Sequence, residues 1–203
     1  KVAGRLSISI NTPRPTTDWE MGRAILSAFC TADPRLTPEL LSSWSTQHGA
    51  FRDIEACAPY WAMSAIMNAA GKKTDLALGM GWRRSHAPSY RAEIATHTGK
   101  SNSGHPIYGH FMLHGPYNKP TDWQALFVRL CAAMGAEYGC LGTHKGANLS
   151  ALGVMHPVTG MLQGIASIVT LPVARVLDLH RTQILAAGFR MTVQDAGVVI
   201  SLM

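Results

Sequence analysis

Two stretches of this chain echo one another: Pro15-Thr16-Thr17-Asp18-Trp19-Glu20 and Pro120-Thr121-Asp122-Trp123-Gln124. Each follows an alternating, strand-like segment and opens an apolar pattern of helical period. Thr17 with Glu20, and Thr121 with Gln124, have the spacing of a capping box. In that motif the hydroxyl accepts an orphan amide proton and the longer side chain reaches back to the cap. A chain punctuated in this way is committed to two helices that dock on strands by one local rule. The device builds structure and carries no chemistry. A shift of 104 residues superposes Trp19 on Trp123 and Leu26 on Leu130, yet places Arg23 on Phe127. Duplication and convergence both explain such an echo.

The remaining elements come in blocks. Leu6, Ile8 and Ile10 alternate with Ser7 and Ser9, the period of a half-buried strand. The first helix is expected over about residues 18–31, with Trp19, Gly22, Leu26 and Phe29 on one side. Thr37-Pro38-Glu39 reads as a cap, a first-turn proline and an acidic residue, opening a short helix at Leu40-Leu41. Residues 42–55 are polar and irregular and predict a surface loop holding Trp44 and Phe51. Tyr60 to Ala70 reads as a short helix, although an apolar run of that length also suits a strand. Asp75 to Arg84, Tyr90 to Thr98 and Ile107 to His114 alternate, and their short links favour an antiparallel meander. Trp123, Leu126, Phe127, Leu130 and Met134 form the stripe of the second capped helix.

Near the end, Leu177, Ile184 and Leu185 mark a helix closed by Gly188. A hairpin follows, with Phe189, Met191 and Val193 against Val198, Ile200 and Leu202 about a three-residue loop at Asp195-Ala196-Gly197. The expected class is α+β. It is an antiparallel or mixed sheet with helices packed on it, two similar strand–capped-helix units, and a C-terminal helix plus hairpin. The 203 residues suit a single domain, or two similar lobes over about 1–98 and 99–203.

Charge is scarce: 15% of residues are charged, against about a quarter in ordinary globular domains. The net +6 is spread along the chain, with Lys72-Lys73 and Arg83-Arg84 the only adjacent basic pairs. This fits an ordinary basic protein first and affinity for an acidic partner second. Cys30, Cys57, Cys131 and Cys140 form no CxxC, so reduced thiols and a cytoplasmic setting are expected. Between Lys145 and Arg175 there is no charged residue, but Asn148, His156-Pro157, Gln163 and Pro172 interrupt the run. Buried core and loop are expected there, not a membrane span.

Catalysis finds little to work with. His110 and His114 share a strand face, but residues four apart on a strand lie about 13 Å apart, too far for one ion. His97 and His105 complete the densest histidine group, and no HExxH helix accompanies it. Cys140 with His144 is the best thiol pair, without a nucleophile elbow. Gly79-Met80-Gly81 lacks the third glycine and helix of a phosphate cradle. There are only 12 acidic residues, and Asp18, Glu20, Glu39 and Asp122 are accounted for by helix starts. The expectation is therefore a non-enzyme with no metal and no cofactor. Trp82-Arg83-Arg84 and Tyr90-Arg91 combine rings with cations, which serves nucleic-acid stacking and protein hot spots alike.

One order of features spans nearly the whole chain. A strand leads to the Trp19 helix and a polar loop, then to Trp82-Arg83-Arg84, central strands and the Thr121-Asp122-Trp123 helix. Ala187-Gly188-Phe189 and the Asp195-Ala196-Gly197 hairpin close it. In this order the chain resembles the immunity protein 52 family of bacterial polymorphic-toxin systems. The resemblance implies a cytoplasmic, non-catalytic inhibitor of a type VI secretion toxin whose nuclease domain is restriction-endonuclease-like. It supplies no catalytic residues to carry over. Many nuclease inhibitors are acidic mimics of nucleic acid, whereas this chain is basic, so an acidic toxin face is the expected counterpart. The expected toxin contacts are Trp82, Arg83, Arg84 and Tyr90, with Trp44 and Phe51 on the loop as the alternative. A basic nucleic-acid-binding protein is the second reading, and a small metal or thiol enzyme the third.

Overall fold

The computed structural model describes residues 4–43, 46–69, 71–96, 107–144, 168–171, 185, 189–194 and 197–202. Its strands are β1 (Arg5–Thr12), β2 (Leu40–Ser43), β3 (Thr46–Ala50), β4 (Ser64–Ala69), β5 (Lys72–Ala77) and β6 (Met80–Arg84). They continue with β7 (Tyr90–Ala95), β8 (Gly109–Pro116), β9 (Tyr138–His144), β10 (Ile168–Leu171), β11 (Phe189–Gln194) and β12 (Gly197–Leu202). The α-helices among these residues are α1 (Trp19–Ala32) and α2 (Trp123–Met134). Ten strands form one sheet in the order β11-β12-β10-β9-β1-β8-β7-β6-β2-β3, while β4 and β5 pair separately. Among the described residues every pairing is antiparallel, so the α+β expectation holds, with the antiparallel form of the sheet.

β1 lies in the middle, between β8 and β9, and thus joins two strands from the second half of the chain. Its alternation places Leu6, Ile8 and Ile10 in the core with the buried stripes of both helices. Ser7, Ser9 and Asn11 point to the opposite face. Thr12 ends the strand by donating its hydroxyl to the Met134 carbonyl at 2.7 Å, which ties β1 to the C-terminus of α2. There Gly135 turns the chain at φ 57°, a left-handed position that glycine occupies without a Cβ clash.

The caps differ from the expected boxes by one residue. Asp18 accepts the Glu20 amide at 3.0 Å, and Asp122 accepts the Ala125 amide at 2.9 Å. A carboxylate both satisfies the orphan donor and complements the positive helix end, so it outcompetes the neighbouring threonine. Thr16, one residue before the expected cap Thr17, donates to the Ala95 carbonyl, pinning the start of α1 against β7.

The echo also stops at the helices. β1 and β8 begin and end 104 residues apart, as do the helix starts Trp19 and Trp123. Yet that shift sends core-facing Ile8 and Ile10 onto Met112 and His114, whereas β8 buries Phe111 and Leu113. A one-residue offset turns every strand side chain to the other face. The repeat is thus a shared way of starting a helix, and the strand faces are not equivalent.

Several short elements depart from expectation. Leu40-Leu41 is strand, not helix, because Leu41 pairs with Trp82 of β6 and is buried there. Pro38 opens no helix; the proline-led turn lies upstream, a 3₁₀ turn at Pro34–Leu36 capped by Asp33 and closed at Thr37. Residues 42–55 are not one loop but hold the end of β2, all of β3 and the start of a second 3₁₀ turn, Glu55–Tyr60. Most of Tyr60 to Ala70 takes the strand alternative, with Gly71 at φ 79° turning β4 into β5. The meander β6-β7-β8 is as expected in its order, but its first strand is shorter: Asp75 to Ala77 belongs to β5, in the separate pair with β4, and only Met80–Arg84 joins the meander. The terminal hairpin pairs as far as Gln194 with Gly197, so Gly197 belongs to β12 and not to a three-residue loop. The expected helix ending at Gly188 lies outside the described residues except for Leu185, which is helical. Most of the uncharged run from 145 to 175 is outside them too. Among the described residues no helix is long and apolar enough to cross a membrane.

Candidate functional site

Adjacent residues on a strand point to opposite faces, and this separates the expected contact residues. Trp82 is 1% exposed and Tyr90 4% exposed, both packed against Phe29 under α1. Their exposure to a partner is corrected: they are core residues. Arg84, on the Trp82 side, sits at the rim and donates to the Thr37 carbonyl while pairing with Glu39 at 3.1 Å. Glu39 also accepts from the Ser85 amide and lies 2.6 Å from His86 Nδ1. These contacts, the Ser85 amide first, hold its carboxyl below the usual carboxylate range. Arg84 thus fastens the β6–β7 turn. Phe51 is half-buried against the core, and Trp44 lies outside the described residues. Of the five described residues of that set, Arg83 alone is exposed, on the far face of the sheet.

That far face is ordered by register. One row crosses the strands as Leu40, Arg83, Arg91, His114 and Ser7. The next runs Ser42, Gly81, Glu93, Met112, Ser9 and Cys140. Toward β1 and β9 the face is closed, with Ser7 and Cys140 buried. Toward β6 and β7 it is open, and the Arg91 side chain is 69% exposed. A hollow of about 470 Å³ lies here, bounded by Ser42, Gly81, Arg91, Glu93, His110 and Met112. A second, of about 200 Å³, continues past Leu40, Gln47 and Arg83, and the two share Ser42 and Arg91. Gly81 makes the floor low: a Cβ there would meet Ser42 Oγ at 3.0 Å and the Ala92 carbonyl at 3.3 Å. The expected set missed Arg91 as the partner of Arg83, and Glu93, His110 and Met112 entirely.

Two serine–histidine pairs cross β1 and β8, Ser7 with His114 Nδ1 and Ser9 with His110 Nε2, each at 3.0 Å. Neither is arranged for acyl transfer. Both serines lie mid-strand on β1, whose two edges pair with β8 and β9, so their amides are engaged and offer no oxyanion donors. Burial pushes the Cys140 thiol up to about 11 and that of Cys57 up to about 12, which keeps both protonated at neutral pH. Among the described residues no group of three or more His, Cys, Asp or Glu could hold a metal ion. His97 and His105 lie outside them.

Burial lowers the pKa of His110, partly opposed by Glu93 and reinforced by His114. The unfolded chain therefore takes up this proton first as pH falls. The stability is full above the unfolded value of about 6.5 and declines as pH drops toward the folded value. His110→Gln keeps a hydrogen-bonding group near Ser9 and should flatten this slope. Thermal midpoints recorded between neutral and mildly acidic pH check it; equal slopes in parent and variant would refute the assignment.

No family model matches the chain, and no curated protein matches it by sequence. Among solved structures, the chain is similar to the Pseudomonas aeruginosa T6SS protein PA0821, with a TM-score of 0.62 and 12% sequence identity. The match covers 98% of this chain and 65% of that one, so the chain spans a little under two thirds of that protein's length. At this identity the likeness is one of fold.

Proposed function

We propose that the chain is an immunity protein of a type VI secretion effector–immunity pair. In this reading it binds a cognate toxin with a restriction-endonuclease-like nuclease domain and neutralises it by protein–protein contact in the producer's cytoplasm, without catalysis of its own. The observation that carries the reading is the open end of the far sheet face, where cations and hollows are set on a rigid antiparallel frame. A preformed surface of this kind binds without paying to order a loop. The fold likeness to a protein named for the T6SS supports the setting, and the family resemblance of the sequence supports the role.

Co-expression with the protein encoded by the adjacent gene tests it. A complex that survives gel filtration at micromolar concentration, with the toxin's DNA-degrading activity suppressed, is expected. Failure to form any complex at that concentration, or turnover of a substrate by the isolated chain, would end this reading.

A further inference from the structure

We infer that Arg83 and Arg91 together read carboxylates on an extended acidic segment of a partner protein lying along the two joined hollows, an inference that rests on the protein-binding reading above. The two guanidinium-bearing residues stand directly opposite one another on β6 and β7, and His114 follows in the same row. Side chains so placed have Cβ atoms about 5 Å apart, where like charges destabilise a sheet. Arg23, Arg35 and Arg84 each hold a carboxylate at 2.6–3.1 Å. Among the described residues no carboxylate pairs with Arg83, and Arg91 reaches Glu93 only at 3.7 Å, with the two side chains 69% and 45% exposed. The sheet therefore carries a charge conflict at the mouth of its groove that an incoming carboxylate resolves, since arginine takes carboxylates in a bidentate fork.

The chemistry favours a protein over a nucleic acid. Single strands are held by rings on which bases stack, and the two aromatic residues next to these arginines in sequence, Trp82 and Tyr90, are buried on the opposite face. Glu93 also stands in the groove between the arginines and His110. A continuous phosphate chain would run past it, whereas discrete carboxylates need not.

Fluorescence anisotropy with labelled oligoglutamate, and with oligodeoxythymidine of equal charge, tests the inference on the full chain. Oligoglutamate should bind, and Arg83→Thr or Arg91→Thr should each weaken it about tenfold, the usual consequence of losing a charged hydrogen bond. The thermal midpoint of Arg83→Thr should stay level or rise, because the opposed charge is gone and threonine favours strands. A falling midpoint would mark the arginine as structural and overturn the inference. So would tighter binding of oligodeoxythymidine lost in the same variants, or oligoglutamate binding that is absent or indifferent to both. The two readings fail separately. A toxin complex untouched by both substitutions sinks the inference alone, and oligoglutamate binding that needs both arginines in a chain without a toxin complex sinks only the immunity role.

Discussion

Phe29→Ala should remove about 3–5 kcal/mol of stability, the cost of emptying a fully packed aromatic site. The ring is buried, with Trp82 at 5.4 Å and 84°, Tyr90 at 5.2 Å and Phe111 at 6.3 Å. Trp82 and Phe111 also touch one another at 5.9 Å, so the remaining rings are already propped apart and cannot close the void. Those three rings stand on β6, β7 and β8, the same strands whose reverse face carries Arg83, Arg91 and His114. Phe29 is thus the point at which α1 sets the spacing of the candidate site from behind. In urea the transition should move to lower denaturant with an unchanged slope, and Phe29→Leu should lose less. A loss below about 1 kcal/mol would show that the cluster collapses around the gap.

The parts of the fold legible in the sequence were those that carry their own period. The stripes of α1 and α2 span several turns, and the alternation of β1, β7 and β8 is read from side chains alone. Leu40-Leu41 was not legible. Two leucines after Thr37-Pro38-Glu39 contain no period, and their strand conformation comes from pairing with β6, some 40 residues on. The capping boxes failed for a local reason, since an aspartate lay one residue closer to each helix than the threonine.

At the site, the cations were legible and their company was not. Trp82-Arg83-Arg84 is a cluster in sequence but two faces in space. Applying the alternation of β6 and β7 strictly separates Met80, Trp82, Tyr90, Ala92 and Ile94 from Gly81, Arg83, Arg91 and Glu93. That sorting was available beforehand. The apposition of Arg83 with Arg91 was not, because it depends on hairpin register, which Glu39 helps fix from β2's approach by gripping Ser85, His86 and Arg84.

Gly22→Ala should destabilise the protein even though alanine in a helix interior ordinarily gains about 1 kcal/mol over glycine. A Cβ at this position would lie 2.6–2.8 Å from three atoms of the Trp61 ring, inside any tolerable contact. The ring has nowhere to go. Its Nε1 donates to the Thr16 carbonyl at 3.1 Å, Trp19 meets it edge-on at 6.0 Å, and it is only 6% exposed. Moving it breaks a buried hydrogen bond, and leaving it strains α1. Overpacking of this kind costs about 1–3 kcal/mol, enough to reverse the helical gain. Trp61 also joins the 3₁₀ turn Glu55–Tyr60 to the β4–β5 hairpin, whose base at Ala77 lines the larger hollow. The strain therefore reaches the rim of the candidate site. Combining Gly22→Ala with Trp61→Phe should cost less than the sum of the two, because the smaller ring vacates the space the methyl needs. Strict additivity, or a rise in stability for Gly22→Ala alone, would mean that α1 shifts on the sheet and the contact is not rigid.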